Sequence, residues 1–291
     1  MAAENASAYV ASRRFGDATV TVIADGSSLW PQNFAVPSAE LRAAIPELDA
    51  AGRLRIGFHA VHIRIGSASI LIDAGFDDLD STWGRKFATM WEETQRTPGV
   101  EAGLASIGVR PEEVTHVITT HAHFDHYVGL TIERDGGYIP RFPNARHLIG
   151  QADRVASRYD GLPDAEFISR IEAIERRGLL DLVDGDREVV PGVTMLHAPG
   201  ESPGHAIVHV ASQGEHFYAL GDLLHHPCEV AHLDWVLANR DQPAMRASRD
   251  RLVAAAVPQG ATLVFSHAMF PPWGRIVPDG DGFRWEEEGQ R

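Results

Sequence analysis

Four short apolar runs in this chain each lead into a histidine or an aspartate, and that pattern constrains the fold more than any other feature. The stretch "VITTHAHFDHYVGL", Val117 to Leu130, passes from an apolar run into His121, His123, Asp125 and His126. "VTMLHAPGESPGH" ends at His205, "HFYALGD" at Asp222 and "TLVFSH" at His267. Residues two apart share one side of an extended chain but not of a helix, so His121 and His123 converge if "VITTHAH" leaves a strand end. Asp125 and His126 then follow in a turn. Loops at one edge of a sheet are where such groups meet, so the strands have to stop at a common edge.

The rest of the pattern agrees with sheets. "ATVTVIADG" alternates from Ala18 towards a turn at Gly26, and "FHAVHIRIGSASILIDAG" reads as a hairpin turning near Gly66 and Ser67. "ARHLIG" and "AIVHVAS" read as further strands. Helical periodicity appears in "DAEFISRIEAIERRG", where Phe167, Ile168, Ile171 and Ile174 share a face and Arg176 and Arg177 precede a stop at Gly178. A second helix is expected from Pro243 to about Ala256, ending before Pro258. Mixed strands with helices between them predict an α/β (α+β) fold, two mixed sheets packed face to face with helices on the outer faces. The expected organisation is one domain over 1–291, with an N-terminal extension at 1–17 and a solvated acidic tail at 286–291.

Charge and cysteine usage exclude several function classes. The formal net charge is −14 and Lys86 is the single lysine, so a nucleic-acid ligand, which needs clustered cations, is not expected. One cysteine, Cys228, rules out an intrachain disulfide and a Cys-rich metal site. No run approaches the ~18 apolar residues of a membrane span. "SRRF" at Ser12 to Phe15 lacks a following apolar segment, because Asp17 and Asp25 interrupt it, so the expected location is cytoplasmic.

Imidazole beside carboxylate favours Zn²⁺, Fe²⁺ or Mn²⁺ over a thiolate-loving ion. His121, His123, His126, His205 and His267 with Asp125 and Asp222 exceed the needs of one four-coordinate ion and suit two ions sharing a carboxylate. Others among the 15 histidines, such as His62, His116, His209 and His216, read as occupants of strand faces.

The ordered set His-x-His-x-Asp-His at 121–126, "PGH" at 203–205, "GD" at 221–222 and "SH" at 266–267 resembles the metallo-β-lactamase superfamily, over roughly Ala18 to Trp285. The resemblance implies an αββα sandwich with a dinuclear site at one edge. His121, His123 and His205 would hold the first ion; Asp125, His126 and His267 the second; Asp222 would bridge. Asp73 in "LIDAGFDD" matches a strand-end aspartate that in the family usually stands behind the ligands. "SIGVRPEEVTHVITTHAHFDH", "RFPNARHLIGQAD", "GDLLHHP" and "SHAMFPPWGRIVPDGDGFRW" are similar to the subgroup of methyl parathion hydrolases and quorum-quenching lactonases. Where those relatives often carry Thr-Pro-Gly-His-Thr-Pro-Gly-His, this chain reads "APGESPGH", with Glu201 in place of the first histidine.

Two cations, most simply Zn²⁺, can make hydroxide available near neutral pH and polarise a substrate oxygen, which implies hydrolysis at a carbonyl or phosphoryl centre. Asp125 or Asp222 would move a proton to the leaving group. His225, His226, Pro227, Glu201 and Phe270 are candidate pocket residues, and Trp30, Phe34, Trp235 and Trp273 candidate apolar wall. The expected substrate is a small neutral lactone or carboxylic ester of the N-acyl homoserine lactone type. The alternatives are phosphotriester or aryl ester hydrolysis, and a redox di-iron or non-catalytic metal protein. On resemblance the chain forms a homodimer.

Overall fold

In the computed structural model, which describes residues 8–31, 34, 36, 38–78, 80–90, 93–156 and 165–289, each of the two large sheets is drawn from one half of the chain. The first contains β1 (Val10–Phe15), β2 (Ala18–Pro31), β3 (Arg53–Ile65), β4 (Ala68–Ile72), β5 (Gln95–Arg96), β6 (His116–Thr119), β9 (Arg146–Gly150) and β10 (Leu180–Val183). Its order is β1-β2-β3-β4-β6-β9-β10, with β5 on the flank of β2. A separate hairpin, β7 (Thr131–Arg134) and β8 (Gly137–Pro140), lies outside it. The second sheet runs in chain order: β11 (Arg187–Val190), β12 (Val193–His197), β13 (Ala206–Ser212), β14 (Glu215–Ala219), β15 (Thr262–Val264), β16 (Gly274–Asp279) and β17 (Gly282–Glu287). Helices are α1 (Ser38–Ala44), α2 (Thr82–Met90), α3 (Val100–Ser106), α4 (Phe124–Tyr127), α5 (Gln151–Val155), α6 (Ala165–Glu175) and α7 (Gln242–Gln259).

The period-2 alternation explains the layering. Val20, Val22, Ile70, Ile72 and Ile118 point inward to meet Val208, Val210, Phe217 and Trp273 of the second sheet. Their neighbours Ile23, Leu71 and Val117 point outward beneath Leu104 of α3 and Phe167, Ile171 and Ile174 of α6. On the far side Ile207, Tyr218 and Leu263 receive Met245, Leu252 and Val253 of α7. The result is helix, sheet, sheet, helix, as expected. Burying each of the larger apolar side chains contributes roughly 1.5–3 kcal/mol before entropy is counted. The β3–β4 hairpin turns at Gly66–Ser67, with Gly66 at φ 55°, as the sequence suggests.

Several expectations need correction. The chain does not turn at Gly26; β2 continues to Pro31, and the register against β3 slips between Ala24 and Gly26, a bulge beside β5. Residues 10–15 of the supposed N-terminal extension form edge strand β1, while residues 1–7 lie outside the described residues. In the supposed solvated tail, Glu286 and Glu287 end β17, and Glu288 is held by Arg13 at 2.7 Å and Arg275 at 2.6 Å; residues 290 and 291 are outside the described set. Helix α7 passes through Pro258 to Gln259: the proline forgoes the backbone bond to the carbonyl four residues back, and Gly260, at φ 58°, closes the helix.

Candidate metal centre

Parallel register brings the first half of the site together. Ile72 of β4 pairs with Ile118 of β6, and Thr119 of β6 with Ile149 of β9, so all three strands stop at one edge. Asp73, Thr120 to His126, and α5 with Asp153 follow these ends. In the second sheet β12 leads into the Ala198–His205 loop, while parallel β14 and β15 end just before Asp222 and His267. Gly221 sits at φ 52°, and a Cβ there would come within 2.9 Å of both His205 and Thr120, so the approach of the two sheets demands glycine.

Two groups of donors result: His121, His123, Glu201 and Asp222, and Asp125, His126, Asp222 and His267, with each group's atoms within 4.8 Å of one another. Asp222 belongs to both. His121 Nε2 and His123 Nδ1 face each other at 2.8 Å. His126 Nε2 lies 3.3 Å from Asp125 and 3.4 Å from Asp222, and His267 Nε2 3.0 Å from Asp222 and 3.6 Å from Asp125.

The far sides of the rings are fixed by acceptors. His126 Nδ1–H donates to Asp73 at 2.8 Å, His205 Nδ1–H to the Ala198 carbonyl at 2.9 Å, and His267 Nδ1–H to the Gly57 carbonyl at 2.9 Å. Each Nε2 is thereby turned towards the centre, the orientation a metal-binding imidazole needs. Asp73 also accepts from the Thr120 amide at 2.7 Å and hydroxyl at 2.9 Å, so one carboxylate, in a left-handed residue at φ 57°, braces both the loop and the ring. Asp153 accepts from the Ala122 amide at 2.9 Å, the Ser202 hydroxyl at 2.8 Å and the Gly204 amide at 2.5 Å, tying the two histidine loops together. Burial raises its pKa to about 6, with these three donors partly offsetting the shift.

Electrostatically the centre draws positive charge. Burial opposes charge on His126, but Asp125, Asp222 and Asp73 outweigh it and hold the ring well above the usual range. His267 is opposed by burial in the same way, yet Asp222 and Asp125 lift it to about 9. Asp222 is held well below its ordinary value, burial notwithstanding, by His267 and His126. His121, by contrast, is kept far down by burial and then by the facing histidines. His126 Nε2, Asp222 Oδ1 and both Glu201 oxygens are buried without a hydrogen bond. Divalent cations would satisfy all of these atoms at once, and the donor set fits them.

Six of the seven ligands expected from sequence fall within these two groups. His205 does not: it lies beside the first group, its ring 5.2 Å from His121, with Nε2 accepting the Asp222 amide at 3.2 Å. Glu201, expected only at a pocket wall, is the group's fourth member and is fully buried. His225 also stands in the centre rather than at a wall, 3.5 Å from Glu201 and 3.7 Å from Asp222. Its backbone amide and that of His226 donate to buried Glu229, which pairs with buried Arg249. His226 and Phe270 do line a cavity of about 1070 Å³ that meets the centre at His267. That cavity carries Glu47, Asp49, Glu93 and Glu287 against Arg55 and Arg284. Trp30 packs edge-on against His267 at 5.4 Å and Trp273 lines the cavity while packing with Phe15 and Phe217, whereas Phe34 and Trp235 join an apolar cluster. His62, His116, His209 and His216 occupy strands, as expected. Arg240, Glu229, Arg249 and Asp153 escaped the sequence reading, because ion pairs and hydrogen bonds between segments far apart in the chain leave no spacing signal.

Residues 59–267 match the family model of the Metallo-beta-lactamase superfamily. An N-acyl homoserine lactonase of Bacillus cereus is 35% identical over 102 residues, covering 35% of this chain and 35% of that protein. The N-acyl homoserine lactonase AttM of Azorhizobium caulinodans is 28% identical over 131 residues, 42% of this chain and 46% of that one. The chain thus matches under half the length of these curated relatives. Among solved structures, AidC, a dizinc quorum-quenching lactonase in complex with a product, superposes with a TM-score of 0.78 at 20% identity, over 97% of this chain and 98% of that one. A probable metal-dependent hydrolase from Staphylococcus aureus gives 0.78 at 21% identity, over 96% and 100%. At such identity the superpositions establish the fold alone.

Proposed function

From its place in the metallo-β-lactamase superfamily, to which this chain belongs, we propose that the protein is a metal-dependent hydrolase that opens small neutral lactones, with related carboxylic esters as further substrates. The observation that carries the proposal is the pair of buried donor groups sharing Asp222. In this reading His121, His123 and His205 would hold one divalent ion and Asp125, His126 and His267 the other, with Asp222 common to both sets. Zinc is the first choice; iron or manganese suits the same donors. When bound, such ions supply a nucleophile from water at neutral pH and an electrophile for the scissile oxygen.

The chain's own residues do the rest. Asp73, Ala198 and Gly57 keep the three Nε2 atoms aimed inward. Asp125, beside His126 and His267, is the group placed to carry a proton to the departing alkoxide, which in a lactone stays tethered to the product. Phe270 and His226 offer a wall for the apolar part of the substrate. The acidic cavity rim disfavours anionic substrates such as carboxylate-bearing β-lactams. Lactonase activity in the relatives named above supports the same choice.

The test is a hydrolysis panel with the metal-reconstituted protein. We expect kcat/KM for some neutral lactone to exceed that for paraoxon, methyl parathion and benzylpenicillin by at least about tenfold, a gap of roughly 1.4 kcal/mol in transition-state stabilisation. A phosphotriester leading the panel would replace the lactonase reading with a phosphotriesterase; a β-lactam in the lead would also refute it.

A further inference from the structure

Glu201 stands where relatives of the resembling subgroup often carry histidine, and its surroundings are unlike those of a pocket wall. The side chain is 1% exposed and reaches back from the loop between β12 and β13 into the first donor group. Oε1 lies 3.2 Å from His123 Nδ1, the nitrogen that faces His121 Nε2, and Oε2 lies 3.5 Å from His225 Nε2. Neither oxygen receives a well-directed hydrogen bond. Charge holds them instead: Arg240 lies 2.5 Å from Oε1. A buried carboxylate left without hydrogen bonds is costly unless a cation compensates it. Arg240 offsets part of this charge, and the same carboxylate lies among the donors of the first group.

We propose that Glu201 is itself a ligand of the first ion, and that Arg240 is the positioning residue that holds the carboxylate in reach. The inference rests on the two-ion reading above and deepens it. With Glu201 in the place that the reading above gave His205, the first ion would meet two carboxylates, Glu201 and the shared Asp222, beside His121 and His123. That set is richer in oxygen than the imidazole-dominated set implied by the family resemblance. Carboxylate donors favour Mn²⁺ relative to Zn²⁺ more than imidazole donors do, although zinc keeps the higher absolute affinity. The substitution of histidine by glutamate therefore shifts metal preference at one ion, with Arg240 limiting the added negative charge.

The readout is a preference ratio, because damage to the fold weakens both metals alike. Metal-free wild type, Glu201→Gln and Glu201→His are equilibrated with Mn²⁺ and Zn²⁺ in competition, Mn²⁺ being followed by electron paramagnetic resonance and zinc by elemental analysis. Glu201→His carries the residue of the relatives, while Glu201→Gln keeps the shape of the side chain and an acceptor for Arg240. Glu201→His is expected to lose at least about tenfold in the manganese-to-zinc preference of one ion, the other ion keeping its wild-type ratio, while Glu201→Gln, which keeps an oxygen donor but not its charge, weakens both metals at that ion. A Glu201→His ratio within twofold of wild type at both ions would overturn the role of Glu201. Wild type that takes up fewer than two ions would instead overturn the two-ion reading, and with it this inference.

Discussion

Replacing Asp73 with asparagine isolates what one bracing carboxylate contributes. Asp73 Oδ1 accepts the Thr120 amide at 2.7 Å, while Oδ2 accepts the Thr120 hydroxyl at 2.9 Å and His126 Nδ1–H at 2.8 Å. An amide has a single acceptor oxygen, so it can serve the Thr120 amide or His126, and not both. If it keeps the amide, its NH₂ faces His126 Nδ1 and favours the tautomer with the proton on Nε2, the atom turned towards Asp125 and Asp222. If it keeps His126, the buried Thr120 amide loses its acceptor, a cost of about 1–3 kcal/mol. Asparagine tolerates the left-handed backbone at this position, so strain does not obscure the result. Loss of an outer partner of a ligating histidine typically weakens metal affinity 10- to 100-fold, about 1.4–2.7 kcal/mol. We expect a loss of that size in one of two steps when the metal-free protein is titrated with Zn²⁺ against a chromophoric chelator, with circular dichroism confirming the fold. Two steps within twofold of wild type would refute the bracing argument.

Burial pushes His147 down from 6.5 to about 4, so the ring is neutral in the fold. The unfolded chain binds the proton first, and stability present above pH 6.5 is lost as pH falls from 6.5 towards 4. The linkage amounts to about 2 kcal/mol between pH 7.5 and pH 5. Wild type should lose that much more than His147→Gln in urea titrations at the two pH values, and parallel losses would count against it. Gly150→Ala places a Cβ 2.0 Å from the Gly204 carbonyl, next to His205, and should destabilise the fold by about 1–3 kcal/mol; an unchanged urea midpoint would show that the loop yields freely. His209→Gln and His216→Gln, in rings that pair at 3.0 Å on strands away from the centre, should leave metal content unchanged by elemental analysis.

Local periodicity made the layers legible. Alternation separated the two faces of β2, β4 and β6, and the strand-end positions of His121, Asp222 and His267 followed from it. What stayed hidden depends on partners far along the chain. Gly26 looks like a turn until Gln95, whose carbonyl would lie 2.5 Å from an added Cβ, is packed against it. Residues 10–15 read as an extension because their pairing with β2 does not show in their own composition. Glu201 was visible as a departure from the relatives' pattern, yet its role depends on Arg240, almost forty residues later in another loop. Proline marks a helix end because it lacks the donor for the carbonyl four residues back, yet α7 gives up that bond at Pro258 and keeps Gln259 helical before Gly260.

The division of the sheets has a mechanical consequence. Apart from the β7–β8 hairpin, strands up to Val183 build one sheet and strands from Arg187 build the other, so only three residues join the two halves in sequence. His121, His123, Asp125 and His126 belong to the first half and Glu201, His205, Asp222 and His267 to the second. Ions held by both sets would act as rivets across a seam, resisting any slippage of one half over the other. Ligand occupancy would then set the temperature at which the seam parts, by the mass-action relation between free ion and dissociation constant.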